Sequence, residues 1–140
     1  MRIMLIYSSR SKKFDRIAGA IFATLQNQGH QIQKVKTEES TRPPGLYQYD
    51  LIFVGSPVEG FWGGKFSDNL DSFIKKCSGL QGKKSAVFVY PKAIGTGKAM
   101  KRIMHRLEEK GSIVIDFRSV KNKTEAEAFA TKLGKKKETF

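Results

Sequence analysis

The chain has 140 residues, 39% of them apolar and 11% aromatic, which suits one compact domain and is too apolar for a disordered chain. Its single cysteine, Cys77, excludes an internal disulfide, and with two histidines it leaves no metal-ligand cluster. Lys and Arg number 26 against 13 Asp and Glu, a net charge of +13. The excess is lopsided, because residues 1–74 carry 9 basic and 7 acidic side chains while residues 75–140 carry 17 and 6. Such a field draws acidic proteins, nucleic acid or anionic ligands, although it also serves simple solubility. No apolar run approaches the roughly 18–20 residues of a membrane span, and the opening run is too short for a signal-peptide core. A cytoplasmic protein without a membrane span is expected.

Residues 3–7 form a nearly continuous apolar run, the pattern of a strand buried on both faces. Phe14, Ile17, Ala18, Ile21, Phe22 and Leu25 then fall on one helical face, and Gly29 stops that helix. Ile32 and Val35 alternate with polar neighbours, as in a half-exposed strand. Thr41-Arg42-Pro43-Pro44-Gly45 reads as loop. Residues 50–55 (Asp-Leu-Ile-Phe-Val-Gly) are the clearest buried strand. Leu70, Phe73, Ile74 and Cys77 repeat as a second helical face that begins at Ser67 or Asp68 and stops at Gly79.

Residues 86–90 give another apolar strand, broken by Pro91. Met100, Ile103, Met104 and Leu107 mark a third helix ending at Gly111, and residues 113–117 form the last strand. Thr124 and Glu127 match a capping box for a final helix with Ala126, Phe129, Ala130 and Leu133 inward, closed by Gly134. Strand and helix thus alternate, with one weak unit after the second strand. This order implies a three-layer α/β/α sandwich around a parallel sheet. A single domain over 1–134 and a basic tail at 135–140 are expected.

In such a sheet every strand-to-helix loop lies along one edge, and ligands sit where the strand order reverses. The first loop, Ser8-Ser9-Arg10-Ser11-Lys12-Lys13, runs into a helix whose free N–H groups, with hydroxyls and cations nearby, suit a phosphate. Ser11 could equally be a plain helix cap. The second loop offers Ser56, Pro57, Val58, Glu59, Gly60, Phe61, Trp62, Gly63 and Gly64. Glycines flanking an aromatic pair fit a flat ring lying against the loop. The alternative is that Trp62 packs back on its own sheet, and Glu59 is either a backbone-capping acid or a solvent-facing one. The third loop has Tyr90 at its root, then Gly95, Thr96 and Gly97, where Thr96 suits a helix cap. Together the loops suggest a phosphate-bearing ligand with a planar ring.

Tyr7-Ser8-Ser9-Arg10-Ser11 and Tyr49-Asp50-Leu51-Ile52-Phe53-Val54-Gly55-Ser56-Pro57-Val58 resemble the flavodoxin-like family of FMN-binding proteins. The resemblance extends to element order over nearly the whole chain. It implies a five-stranded parallel sheet in order 2-1-3-4-5 with FMN at the switch point, the arrangement for which flavodoxin is the standard example. It further implies FMN as cofactor and electron transfer as function. The family's phosphate loop reads T/S-x-T/S-G-x-T. Ser9 and Ser11 match its first two hydroxyl positions, whereas Lys12 stands for the glycine, Lys13 for the variable residue and Phe14 for the last threonine.

Other readings of the same edge are a small FMN-dependent NAD(P)H or quinone reductase and a non-flavin module. The module would use its basic face for an acidic protein or nucleic acid. Lys98, Lys101, Arg102, Arg106 and Lys110 make a basic helical stripe, but no nucleic-acid motif accompanies it. The dinucleotide motif G-x-G-x-x-G and the phosphate-binding motif G-x-x-x-x-G-K-[ST] are both missing. His30, His105 and Cys77 have no evident catalytic partner, and Cys77 sits at an apolar helical position. An acidic redox protein is the expected partner, and the chain is expected as a monomer or weak homodimer.

Overall fold

The computed structural model describes residues 1–40 and 42–135. In chain order these form β1 (Arg2–Tyr7), α1 (Lys12–Asn27), β2 (Gln31–Lys36), a single 3-10 turn (Thr37–Glu39), β3 (Leu51–Pro57), α2 (Asp68–Lys76), β4 (Lys84–Tyr90), α3 (Thr96–Glu109), β5 (Ile113–Ser119) and α4 (Lys123–Gly134). The weak unit after β2 is therefore one tight turn rather than a helix. Apart from Lys135, the expected basic tail lies outside the described residues.

All five strands are parallel, in the order β2-β1-β3-β4-β5. The three inner strands are the ones with unbroken apolar runs, because each must bury both faces. Along them the side chains alternate. Ile3, Leu5, Phe53, Ala86 and Phe88 pack under α1 and α4, while Met4, Ile6, Ile52, Val54, Val87 and Val89 pack under α2 and α3. Each helix turns its apolar stripe to the sheet, for example Phe14, Ile17, Ala18, Ile21 and Leu25 of α1. Cys77 lies in the second core, and burial pushes its thiol up to about 11.

The chain leaves β1 in one direction to form β2 and returns on the other side as β3, so the order reverses between β1 and β3. The loops that follow β1, β3 and β4 all open at the carboxyl edge beside that reversal.

Three local details differ from the sequence reading. The cap of α4 is Asn122, whose side chain accepts the N–H of Glu125 at 2.9 Å, so Thr124 and Glu127 lie inside the helix. Asparagine two residues earlier wins because its short acceptor reaches the third N–H from an extended backbone. Thr96 does not cap α3. Its hydroxyl turns back to the Lys92 carbonyl at 2.7 Å, and the cap position falls to Gly95 at φ +83°. Gly134 ends α4 without a left-handed turn, and its glycine is explained by space instead, because a Cβ there would stand 2.0 Å from the Gln28 Oε1. Its bare backbone admits the end of α1.

Candidate functional site

The first loop is pinned by a carboxylate from the 3-10 turn. Glu38 accepts the hydroxyl of Ser8, the backbone N–H of Ser9 at 3.0 Å and the amide of Asn69 at 3.2 Å. Ser8 also shares a 2.5 Å hydrogen bond with Ser67. The ends of β1 and β2 and the start of α2 thereby meet at one acid. Burial pushes the Glu38 carboxyl up, but the bonds from Ser8, Ser9 and Asn69 outweigh it and hold the group below its ordinary value. Ser67 signals itself in the sequence only as the start of α2, which it caps by accepting the Leu70 N–H. Glu38 and Asn69 carry no motif, and the only signal for Glu38 is topological, because a turn directly after β2 must lie next to the end of β1.

Within the loop, the Ser9 hydroxyl donates to the Ser11 carbonyl at 2.9 Å and accepts the Ser11 N–H at 3.3 Å. Ser11 caps α1 by accepting the Phe14 N–H at 3.2 Å. Four serine functions are thus committed internally. The N–H groups of Arg10, Lys12 and Lys13 have no acceptor among the described residues. Phe14 turns its ring into the core, stacked on Phe88 at 5.6 Å, and leaves the loop mouth open. The positions of Arg10, Lys12 and Lys13 therefore offer backbone donors at a helix start with three cations around them, a setting that suits a phosphate ester.

The second and third loops are joined backbone to backbone. Gly64 donates its N–H to the Gly95 carbonyl at 3.1 Å, and Val58 donates to the Tyr90 carbonyl at 2.9 Å. A Cβ on Gly63 would stand 1.7 Å from the Ile94 carbonyl oxygen, and one on Gly95 2.3 Å from the Gly64 nitrogen. Both glycines have positive φ. Glu59 and Lys65 form a short antiparallel bridge that closes the second loop into a hairpin.

Ser56 and Val58 are buried and face inward. The Ser56 hydroxyl accepts the Ser67 N–H at 3.0 Å, and Val58 belongs to the core under α2 and α3. Phe61 is 90% exposed and Trp62 71% exposed, with their rings edge to face at 4.9 Å. Neither ring packs back on the sheet, so two aromatics stand in water at the end of the hairpin. That is an unusual place for them in the absence of a ligand or partner.

Charged side chains knit the loops together. Lys13 lies over the Tyr90 ring at 4.7 Å, and Lys92 donates to the Gly60 carbonyl at 3.0 Å. Burial pushes the Glu59 carboxyl up, with Arg10 and Lys92 pulling against it through their charges. Arg10 of the first loop and Glu59 of the second are therefore electrostatic neighbours. The two histidines stand apart from this edge. His30 is buried against the Gly134 carbonyl at 2.7 Å, and His105 is an exposed partner of Glu109 at 2.8 Å. No group of three or more His, Cys, Asp and Glu side chains is placed to hold a metal among the described residues.

No family model matches the chain, and no curated protein does so either. Solved structures do. Flavodoxin 1 from Bacillus cereus superposes with a TM-score of 0.74 at 20% identity, covering 96% of this chain and 95% of that one. Two-electron reduced Megasphaera elsdenii flavodoxin gives a TM-score of 0.73 at 22% identity over 93% and 98% of the two chains. Rubredoxin oxygen:oxidoreductase from Desulfovibrio gigas matches with a TM-score of 0.74 at 12% identity, where 95% of this chain covers 35% of that one. With its 2-1-3-4-5 parallel sheet and helices on both faces, the chain has the flavodoxin-like fold.

Proposed function

We propose that the chain binds FMN at the carboxyl edge of the sheet and serves as an electron carrier. The observation that carries this reading is the pairing, on one edge, of free N–H donors at Arg10, Lys12 and Lys13 with the water-exposed Phe61 and Trp62. The first set suits the phosphate. The second suits the ring, with the hydrogen-bonded glycine backbone of Gly60, Gly63 and Gly95 lining the loops beside it. Tyr90, Thr96 and Gly97 border the opposite side, while Ser8, Ser9, Ser11, Ser56, Pro57, Val58 and Glu59 support the loops from behind. When bound, the flavin ring supplies one- and two-electron chemistry, and the protein supplies position and electrostatics. No side chain is needed as an acid or base.

The net charge of +13 suits an acidic redox partner. Titration of the purified protein with FMN, followed by flavin fluorescence and by calorimetry, tests the reading. Saturable quenching with heat release supports it. Neither signal at micromolar protein would leave a flavodoxin-like scaffold without the cofactor. Steady oxidation of NADPH by the loaded protein would reassign it from carrier to reductase.

A further inference from the structure

A second basic feature lies beside the proposed flavin edge rather than in it. α2 and α3 run past each other on one face of the sheet, and between them opens a cleft of about 800 Å³ lined by Lys65, Lys98, Lys101, Arg102, His105 and Arg106, with Phe66, Asp68 and Asp71 completing the wall. The basic side chains are of two kinds. Arg106 is held at 2.6 Å by Asp71 and at 2.7 Å by Glu109, and His105 is held by Glu109. Lys65, Lys98, Lys101 and Arg102 make no ion pair among the described residues, and all four are exposed.

Lys98, Lys101 and Arg102 recur at helical spacing on α3, and Lys65 comes from the hairpin opposite them. Four unpaired positive charges around one concavity repel each other, a cost that salt screens in part and an acidic partner relieves further. The basic stripe visible in the sequence is thereby reduced to its free members. Arg106 is spent on structure, and Lys110 donates to the Lys75 carbonyl at 3.0 Å.

The cleft is continuous with the flavin edge. Lys98 packs its stem against Gly64, where a Cβ would meet the Lys98 Cδ at 3.1 Å. Lys65 is bridged to Glu59, and Phe61 and Trp62 lie in the hairpin between these two residues. The hairpin that carries the exposed aromatic pair therefore also supplies a cation to the cleft wall. Aromatic anchors near an arginine are a feature of protein interfaces, and lysines at the rim steer an acidic partner by charge.

We infer that this cleft is the docking surface for an acidic partner protein, which lays a ridge of Asp and Glu side chains along Lys65, Lys98, Lys101 and Arg102. The redox character of that partner rests on the FMN reading, whereas the docking does not. A protein ridge fits better than a nucleic-acid strand because Asp68 and Asp71 lie on the cleft wall, where a mixed protein surface can meet Asp68 with a cation but an unbroken phosphate backbone cannot.

The test uses a fluorescent glutamate decamer as probe and a single-stranded decanucleotide as rival, with binding read by anisotropy at several salt concentrations. Lys101→Glu/Arg102→Glu should weaken the peptide about tenfold, and Lys101→Gln/Arg102→Gln should weaken it less in the same direction. The control pair Arg118→Glu/Lys121→Glu makes the same charge change away from the cleft and should shift binding less than about twofold. Equal losses in the two charge-reversed pairs would show only the general field and overturn the proposal. Tighter binding of the oligonucleotide through Lys101 and Arg102 would overturn it in favour of nucleic acid. FMN titration of the same variants is read separately. Peptide docking without flavin binding sinks the cofactor and keeps the cleft, and flavin binding without cleft-dependent docking does the reverse.

Discussion

The carboxylate of Glu38 accepts the backbone N–H of Ser9 at 3.0 Å, so an anion of the chain itself occupies donors at the end of β1. With the Ser8 hydroxyl and the Asn69 amide on the same group, Glu38 fixes the loop geometry and also competes with an incoming phosphate for positive potential. These two roles separate under mutation. Glu38→Ala removes bonds to a charged acceptor and should lower folding stability by about 1–2 kcal/mol, measured by urea unfolding. The same change frees the donors of Ser8, Ser9 and Asn69 and removes a negative charge, so affinity for FMN should rise several-fold. A fall in both quantities would mean that loop order matters more than competition.

The pH dependence follows from the same bonds. The Glu38 carboxyl is held below its ordinary value of 4.5 in the folded chain, so the folded state favours its ionised form. That contribution is fully present above the unfolded value and is lost as pH falls through the lower folded value. Unfolding curves between pH 3 and 7 should show stability declining on the acid side, with a shallower decline in Glu38→Gln. Identical acid limbs in the two proteins would remove Glu38 from the account.

The sheet was legible because its inner strands had to be apolar on both faces, and the short lengths of residues 3–7, 50–55 and 86–90, with Gly55 and Pro91 ending two of them, favour strand over buried helix. Helix faces were legible for the same reason, through spacing alone. Glu38 was not, because its role exists only once β2 lies beside β1 and brings its last turn against Ser8 and Ser9. Phe14 carried two signals, standing where the family has a threonine and lying on the apolar face of the first helix. The helical spacing decides, turning its ring away from the loop and onto Phe88. The caps of α3 and α4 failed for want of distances, since Thr96 and Thr124 are plausible caps until Gly95 and Asn122 are seen to hold the positions.

Three glycines of the second and third loops should respond differently to alanine. Gly63→Ala and Gly95→Ala each combine a positive φ with a Cβ closer than 2.5 Å to backbone, where the neighbour cannot simply rotate away. Each should cost about 2 kcal/mol or more and loosen the contact between the loops. Gly97 has open space around its Cβ direction and lies in the first turn of α3. Gly97→Ala should be neutral or stabilising by up to about 1 kcal/mol. Thermal unfolding of the three variants checks the order, and a costly Gly97→Ala would contradict it.

Phe61 and Trp62 are exposed enough that truncation removes little packing. Phe61→Ala and Trp62→Ala should each change stability by less than about 0.5 kcal/mol. If a flavin ring rests on this pair, one or both should weaken FMN binding about tenfold, the scale of an aromatic stacking contact. Chemical unfolding and flavin fluorescence on the same samples separate the two effects. Full FMN affinity in the double variant would move the ring elsewhere on the edge.

Phe14→Thr restores the residue type of the family's phosphate loop, and the structure predicts that restoration fails. The Phe14 ring is buried in the core under α1 and α4 and stacks on Phe88. Phe88 in turn lies so close to Gly55 that a Cβ there would stand 2.1 Å from its ring. Phe14, Phe88 and the bare backbone of Gly55 are thus one packed unit, and removing the first ring leaves a cavity that the others cannot fill without moving β3. A loss of about 3 kcal/mol or more is expected. The new hydroxyl would replace a side chain directed at the core, so FMN affinity should stay within about twofold once the remaining folded fraction is accounted for. A large gain in affinity would show instead that the loop lacks a donor which Arg10, Lys12 and Lys13 do not replace.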